Sequence, residues 1–175
     1  HPVSALVTPP VDLPPLRTLM EKVTGISARR PLVAFARRPL AARARPQAAA
    51  SGPQVLYFAG CYAGYIRPEI GIAAIRVLEY LGLGVTLPPQ HCCGLPLLSK
   101  GLAREARGRI RANLRRWGRQ AAAADAVVVT CSSCGYALQK EWGDLLPPEE
   151  VAAVQAKTIH ISRLVNRFRD RLHTA

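Results

Sequence analysis

Hydrophobic positions along the chain fall into two textures that meet near residue 53. From residue 54 onward, short apolar runs alternate with amphipathic stretches. "QVLYFAG" at 54–60 reads as a buried strand, and a helix from about Pro68 to Leu81 follows, with proline in its first turn and Gly82 at its end. "GVTLP" is the next strand, stopped by Pro88 and Pro89. "AVVVTC" at 126–131 is a third, Val-rich as a parallel strand covered on both faces should be. Between them the pattern predicts a long helix from about Ser99 to Ala124. Its Leu102, Ala106, Ile110, Leu114, Trp117 and Ala121 recur at spacings of three and four, and Arg104, Arg107, Arg111, Arg115 and Arg119 mark a solvated opposite side.

Past Cys134, "GYALQKEWGDLL" predicts a short helix, and Glu149 and Glu150 open another with an acidic first turn. "TIHI" reads as a strand edge, and Ser162 is placed to cap a last basic helix through Arg171. The order β-α-β-α-β-α predicts an α/β fold, a Rossmann-like parallel sheet with helices on both faces.

Residues 1–53 have the other texture. They hold nine of the fifteen prolines and the run "ARRPLAARARPQAAASGP", which sustains no strand and repeatedly breaks a helix. We read 1–53 as a Pro/Ala/Arg-rich arm or linker and 54–175 as the folded domain. Only "LPPLRTLMEKVTGIS" in the arm looks structured: Leu16, Leu19, Met20 and Val23 share a helical face and Gly25 supplies a stop, so a short helix packed on the main body is expected.

At 175 residues and 49% apolar content the chain can bury a substantial core. Its 24 Lys and Arg against 11 Asp and Glu give +13, which suits nucleic acid, an anionic membrane face or an acidic protein. Nucleic acid is disfavoured, because no recognition module and few interleaved aromatics accompany the charge. The chain opens at His1 without a basic-then-apolar leader, and no apolar run approaches the ~18 residues of a bilayer span. A soluble or peripheral piece of something longer is expected. Walker-type, GxGxxG, serine-elbow and HExxH motifs do not occur, which leaves nucleotide and hydrolytic chemistry without support.

The five cysteines change the picture most. An odd count, clustered as CCG and CxxC, fits a reducing, cytoplasmic compartment and metal binding rather than a disulfide framework. Binding sites in an open parallel sheet collect beyond the carboxyl ends of its strands. Cys61 follows the first strand, Cys92 and Cys93 the second, and Cys131 and Cys134 the third, so all five are expected at one edge. Adjacent side chains diverge, which makes the vicinal pair a poor grip on a single ion and a natural one on a group with several metal atoms. A structural zinc would use four of the five cysteines, and a thioredoxin-like dithiol only Cys131 and Cys134. His91 is a candidate ligand or donor to sulfur, or a surface histidine. Tyr62, Tyr65 and Tyr136 flank the cysteines either as a cover or as ordinary packing.

"FAGCYAGYIRPEIGIAAIRVLEYLGLGVTLPPQHCCGLPLLSKG", followed by "VVTCSSCGYALQKEW", resembles the cysteine-rich CCG domain of the heterodisulfide reductase B-subunit and its relatives, the iron–sulfur subunits of glycolate oxidase and of lactate utilisation systems among them. "GCYAGY", "CCGLPL" with "SKG" after it, and "LMEKVTGIS" ahead of the domain resemble the C-subunit type of anaerobic glycerol-3-phosphate dehydrogenase. The resemblance implies an iron–sulfur cluster held by Cys61, Cys92, Cys93, Cys131 and Cys134, a [4Fe–4S] centre that is noncubane in the heterodisulfide reductase relatives. It also implies electron relay from flavoprotein dehydrogenase subunits toward the membrane quinone pool, by a non-catalytic subunit lying peripherally on the inner face of the cell membrane. The family's ferredoxin-like CxxCxxCxxxCP module and second CCG domain are missing from this sequence, which therefore looks like the first cysteine domain of a longer or fragmented subunit. A zinc-stabilised basic interaction module is the alternative.

Overall fold

A computed structural model describes residues 13–31, 33–47 and 52–169. Four parallel strands, β1 (Gln54–Phe58), β2 (Gly84–Thr86), β3 (Ala126–Val129) and β4 (Thr158–His160), form one sheet in the order β2-β1-β3-β4. Val55 pairs with both Val85 and Ala126, and Val128 with Ile159, so β1 and β3 are central and buried on both faces. The α/β parallel architecture expected from the sequence is the one observed.

Alternation along the strands divides the interior into two layers, as a two-residue period requires. Leu56, Phe58, Val127 and Val129 point to one face. There they meet Ile110, Trp117 and Ala121 of α5 (Ala103–Ala123), Trp142 of α7 (Trp142–Leu145), and Val151 and Val154 of α8 (Pro148–Lys157). Val55, Tyr57, Val128 and Ile159 point to the other. They pack on Leu40 of α2 (Leu40–Arg43), on Ala74, Ile75 and Leu78 of α3 (Pro68–Tyr80), and on Leu164 of α9 (Ile161–Arg167). Prolines open α3 and α8, where the missing N–H costs no hydrogen bond.

Leu40 is 1% exposed and lies directly over Gly71 of α3, while Gln47 exchanges hydrogen bonds with the Glu79 carboxylate and the Val85 amide. Residues 40–47 are therefore fastened to the sheet's β2 side.

The structure corrects several of these expectations. The helix α1 (Pro14–Thr24) forms and ends at Gly25 as predicted, but it is not packed on the main body through its apolar face. Leu16, Leu19 and Val23 are exposed, and the residue it buries is Arg17, which donates to the carbonyls of Ala28 and Arg30 in the turn that follows. Helical periodicity specified the element, whereas the following loop, not an apolar surface, supplies its contacts. The long helix begins at Ala103 instead of Ser99, because Lys100 and Gly101 lie in a turn, and this leaves Leu102 at the cap and 41% exposed. Asn113 takes a fully buried place on that helix which the apolar series did not predict. The last helix is capped by His160 and not by Ser162, whose amide donates to the His160 ring from within the helix; it is observed through Arg167, and Arg171 lies outside the described residues.

Candidate metal centre

Each cysteine sits where a strand has just ended. Cys61 comes three residues after β1, at the mouth of a π-helical turn, Tyr62–Ile66, that leads into α3. Cys92 and Cys93 lie in an irregular loop between β2 and the short helix α4 (Leu95–Leu98). Cys131 stands just before α6 (Ser132–Tyr136) and Cys134 within it. That helix continues through a second π-helical turn, Ala137–Glu141, into α7. Such bulges recur at functional sites, where one wide turn re-aims the side chains around it.

The five sulfurs form a connected run. Cys61 reaches Cys92, Cys92 reaches its neighbour Cys93, Cys93 reaches Cys134, and Cys134 reaches Cys131. All are free thiols, and burial deepens toward the middle of the run: Cys61 is exposed, Cys92 and Cys131 are half-buried, and Cys93 and Cys134 are buried at 4% and 7% exposure. Strand ends separated by up to 73 positions, Cys61 to Cys134, thus meet at one edge, as the sequence predicts.

Acidity alternates along the run. Cys92 is held well below the usual thiol range by hydrogen bonds from Cys61 and Cys93, helped by the Gly94 amide and the charge of Arg109. Cys134 is lowered by hydrogen bonds from Cys93 and then Cys131. The donors move the other way: Cys61 is raised chiefly by its bond to Cys92, and Cys93 by its bonds to Cys134 and Cys92. The shifts at Cys92 and Cys134 run toward the thiolate, the form that ligates metal. The donor set is soft and all-sulfur, which suits iron–sulfur assemblies and zinc.

Glycine is needed at two points. Gly94 turns the chain with φ 93° directly after the vicinal pair, sending it into α4 beneath Ala106 and Ile110. Gly60 adopts φ 68°, and a Cβ there would stand 2.9 Å from the Cys134 sulfur. Gly60→Ala would meet both penalties, about 1–2 kcal/mol for the left-handed backbone alone. It is expected to lower the urea midpoint and to displace Cys134. An unchanged midpoint would contradict this close approach.

Of the other predicted neighbours, His91 is half-buried and held toward its neutral form by burial and by Arg116 and Arg109. Tyr62, Tyr65 and Tyr136 are 51%, 47% and 55% exposed, so they line the rim without sealing it. Three residues that sequence reasoning passed over complete the surroundings. The Gln90 carboxamide accepts from the Gly60 amide at 3.0 Å, tying the first cysteine loop to the second. Asn113 binds the backbone of His91 and Cys92, and the Trp142 indole donates to the Cys93 carbonyl at 2.9 Å. The "PQHCCG" loop has no ladder partners of its own, and that was the available signal that side chains elsewhere must satisfy it.

Cavities elsewhere are less suited to this chemistry. A cavity of about 380 Å³ lies beside the starts of β3 and β4, lined by Asp125, Lys157, Thr158 and Arg163 and removed from the thiols. A mainly apolar cleft of about 270 Å³, bounded by Leu40, Pro88 and Arg116, shares Gly60 and Gln90 with the cysteine edge.

Comparison with known proteins agrees with this geometry. The model of a family described as a cysteine-rich domain, CCG, matches residues 55–139. The C-subunit of anaerobic glycerol-3-phosphate dehydrogenase from Escherichia coli K12 is 32% identical over 151 residues, covering 83% of this chain and 38% of that protein. The glycolate oxidase iron-sulfur subunit of the same organism is 36% identical over 113 residues, 61% of this chain and 26% of the relative. The B-subunit of the fumarate reductase (CoM/CoB) of Methanothermobacter marburgensis is 30% identical over 92 residues, 52% and 18% of the two chains. The chain thus spans well under half the length of these relatives. No solved structure matches it significantly.

Proposed function

We propose that the chain, whose residues 55–139 match the model of the cysteine-rich CCG domain family, is an iron–sulfur, electron-transfer part of a dehydrogenase or reductase complex. The observation that carries this reading is the connected run of five thiols at the carboxyl edge of the sheet. A structural zinc needs four ligands converging tetrahedrally on one point. It would leave one of the five thiols without a role, whereas a vicinal pair within a set of five suits a group of several metal atoms.

Cys61, Cys92, Cys93, Cys131 and Cys134 would hold the cluster, a [4Fe–4S] centre by the family resemblance. When bound, it supplies one-electron redox chemistry. The protein's own part is to bind it, orient it and set its surroundings. The buried Cys93 and Cys134 would anchor the inner side, Cys61 would leave one side near solvent for electron exchange, and the Gly94 amide and Arg109 would favour negative sulfur.

The finer assignment extends the likeness to the C-subunit of anaerobic glycerol-3-phosphate dehydrogenase. Electrons would pass from flavoprotein subunits through this chain toward the quinone pool, at the inner face of the cell membrane. The +13 charge supports an acidic partner or an anionic lipid surface, and no helix among the described residues is long and apolar enough to cross a membrane.

The test is redox titration after anaerobic reconstitution with iron and sulfide. Broad visible absorption that one electron per chain bleaches, and that returns on reoxidation, is expected. A colourless protein that takes up no electrons would rule the reading out.

A further inference from the structure

The irregular loop that carries the vicinal cysteines has no strand or helix to fix it, yet its backbone is buried against α5 and α7. Four backbone groups in three successive residues are bound by two side chains. Asn113 Oδ1 accepts from the His91 amide at 2.7 Å, and Asn113 Nδ2 donates to the carbonyls of His91 at 3.4 Å and Cys92 at 3.1 Å. Trp142 Nε1 donates to the Cys93 carbonyl at 2.9 Å. Asn113 and Trp142 are both 0% exposed. The Trp117 indole also donates to Asn113 Oδ1, at 3.3 Å, so two donors define which end of the amide is oxygen and turn its NH₂ group toward the loop.

We infer that Asn113, backed by Trp117 and paired with Trp142, is a positioning clamp that fixes the backbone of residues 91–93, so that the Cys92 sulfur is directed toward Cys61 and the Cys93 sulfur toward Cys134. Only a carboxamide fits this task at 113. It must accept from one amide and donate to two carbonyls at once, which a carboxylate, a hydroxyl or an alkyl group of similar size cannot do. Loss of the clamp lets the loop rotate, and a small rotation exchanges the directions of adjacent side chains. The consequence for a bound cluster rests on the proposed function. The consequence for the thiols themselves does not.

The test therefore begins with cluster-free, reduced protein, in which alkylation of each cysteine by iodoacetamide is followed by mass spectrometry. In the parent, Cys93 is expected to react much more slowly than Cys92. In Asn113→Leu that difference is expected to shrink by about tenfold, consistent with the loss of buried hydrogen bonds, while circular dichroism stays unchanged. After anaerobic reconstitution, the variant is expected to release iron to a chelator about 10–100-fold more readily. Should Asn113→Leu fail to fold, two milder variants replace it. Asn113→Ser keeps a small polar side chain that cannot reach both carbonyls, and Trp142→Phe keeps an aromatic side chain of smaller size and loses the bond to Cys93. Both are expected to show the same loss of selectivity. Folded variants whose alkylation pattern matches the parent's would overturn the clamp, whatever metal the protein holds. Altered alkylation in the variants, together with a parent that never retains iron or sulfide, would keep the clamp and defeat the cluster.

Discussion

Cys93→Ala is expected to abolish cluster retention while leaving the fold in place. Cys93 is the central link of the run, in contact with Cys92 on one side and Cys134 on the other, and it is only 4% exposed. Removing its sulfur takes away the buried member that touches both Cys92 and Cys134, so the four thiols that remain lose their shared inner contact and the cluster its anchored side. Alanine, unlike serine, places no hydroxyl in this apolar setting, where an unpaired one would cost about 1–3 kcal/mol. Iron and sulfide per chain after anaerobic reconstitution, with circular dichroism as the control for folding, decide the matter. Full retention by Cys93→Ala would mean that the run is not the ligand set. Cys61→Ala, which removes an exposed end of the run, is expected to be milder and to leave a labile centre.

The second large effect lies in the core beneath the site. Trp117→Ala is expected to cost about 3–5 kcal/mol, the usual range for emptying a fully buried aromatic position. Trp117 is 1% exposed and packs between Phe58 and Trp142, at ring-centre distances of 5.7 and 5.8 Å. Its indole N–H also holds Asn113. A domain stable by about 5–15 kcal/mol would lose a large fraction of its stability, so the guanidinium midpoint should fall steeply. Trp117→Phe retains most of the packing and should lose less. A cost for Trp117→Ala within about 0.5 kcal/mol, the range of ordinary surface changes, would contradict the packing described here.

How much of this was legible in the sequence depends on the length scale of each interaction. Strands β1, β2 and β3 and the helices between them follow from period and punctuation. Their carboxyl ends carry every cysteine, so the meeting of five distant thiols could be read before any coordinates. Periodicity also placed Ala106, Ile110, Trp117 and Ala121 correctly on the buried side of α5. It could not find Asn113, because a polar residue is buried there to satisfy a loop 21–22 positions away, a requirement set by backbone that has no ladder partner. The helix α1 fails in the opposite sense. Its apolar stripe is real in the sequence, yet Leu16, Leu19 and Val23 face solvent, since an amphipathic pattern specifies a helix without specifying what covers it. The order of sulfurs along the run was likewise out of reach, since it depends on how three loops turn after leaving the sheet. Gly60 and Gly94 do that turning with positive φ angles.

The most direct measurement is the content of iron, acid-labile sulfide and zinc per chain in protein purified without oxygen. Equal iron and sulfide, about four of each, is the predicted result for a [4Fe–4S] centre on these five thiols. About one zinc per chain with no sulfide would contradict it and would make the domain a zinc-stabilised module instead.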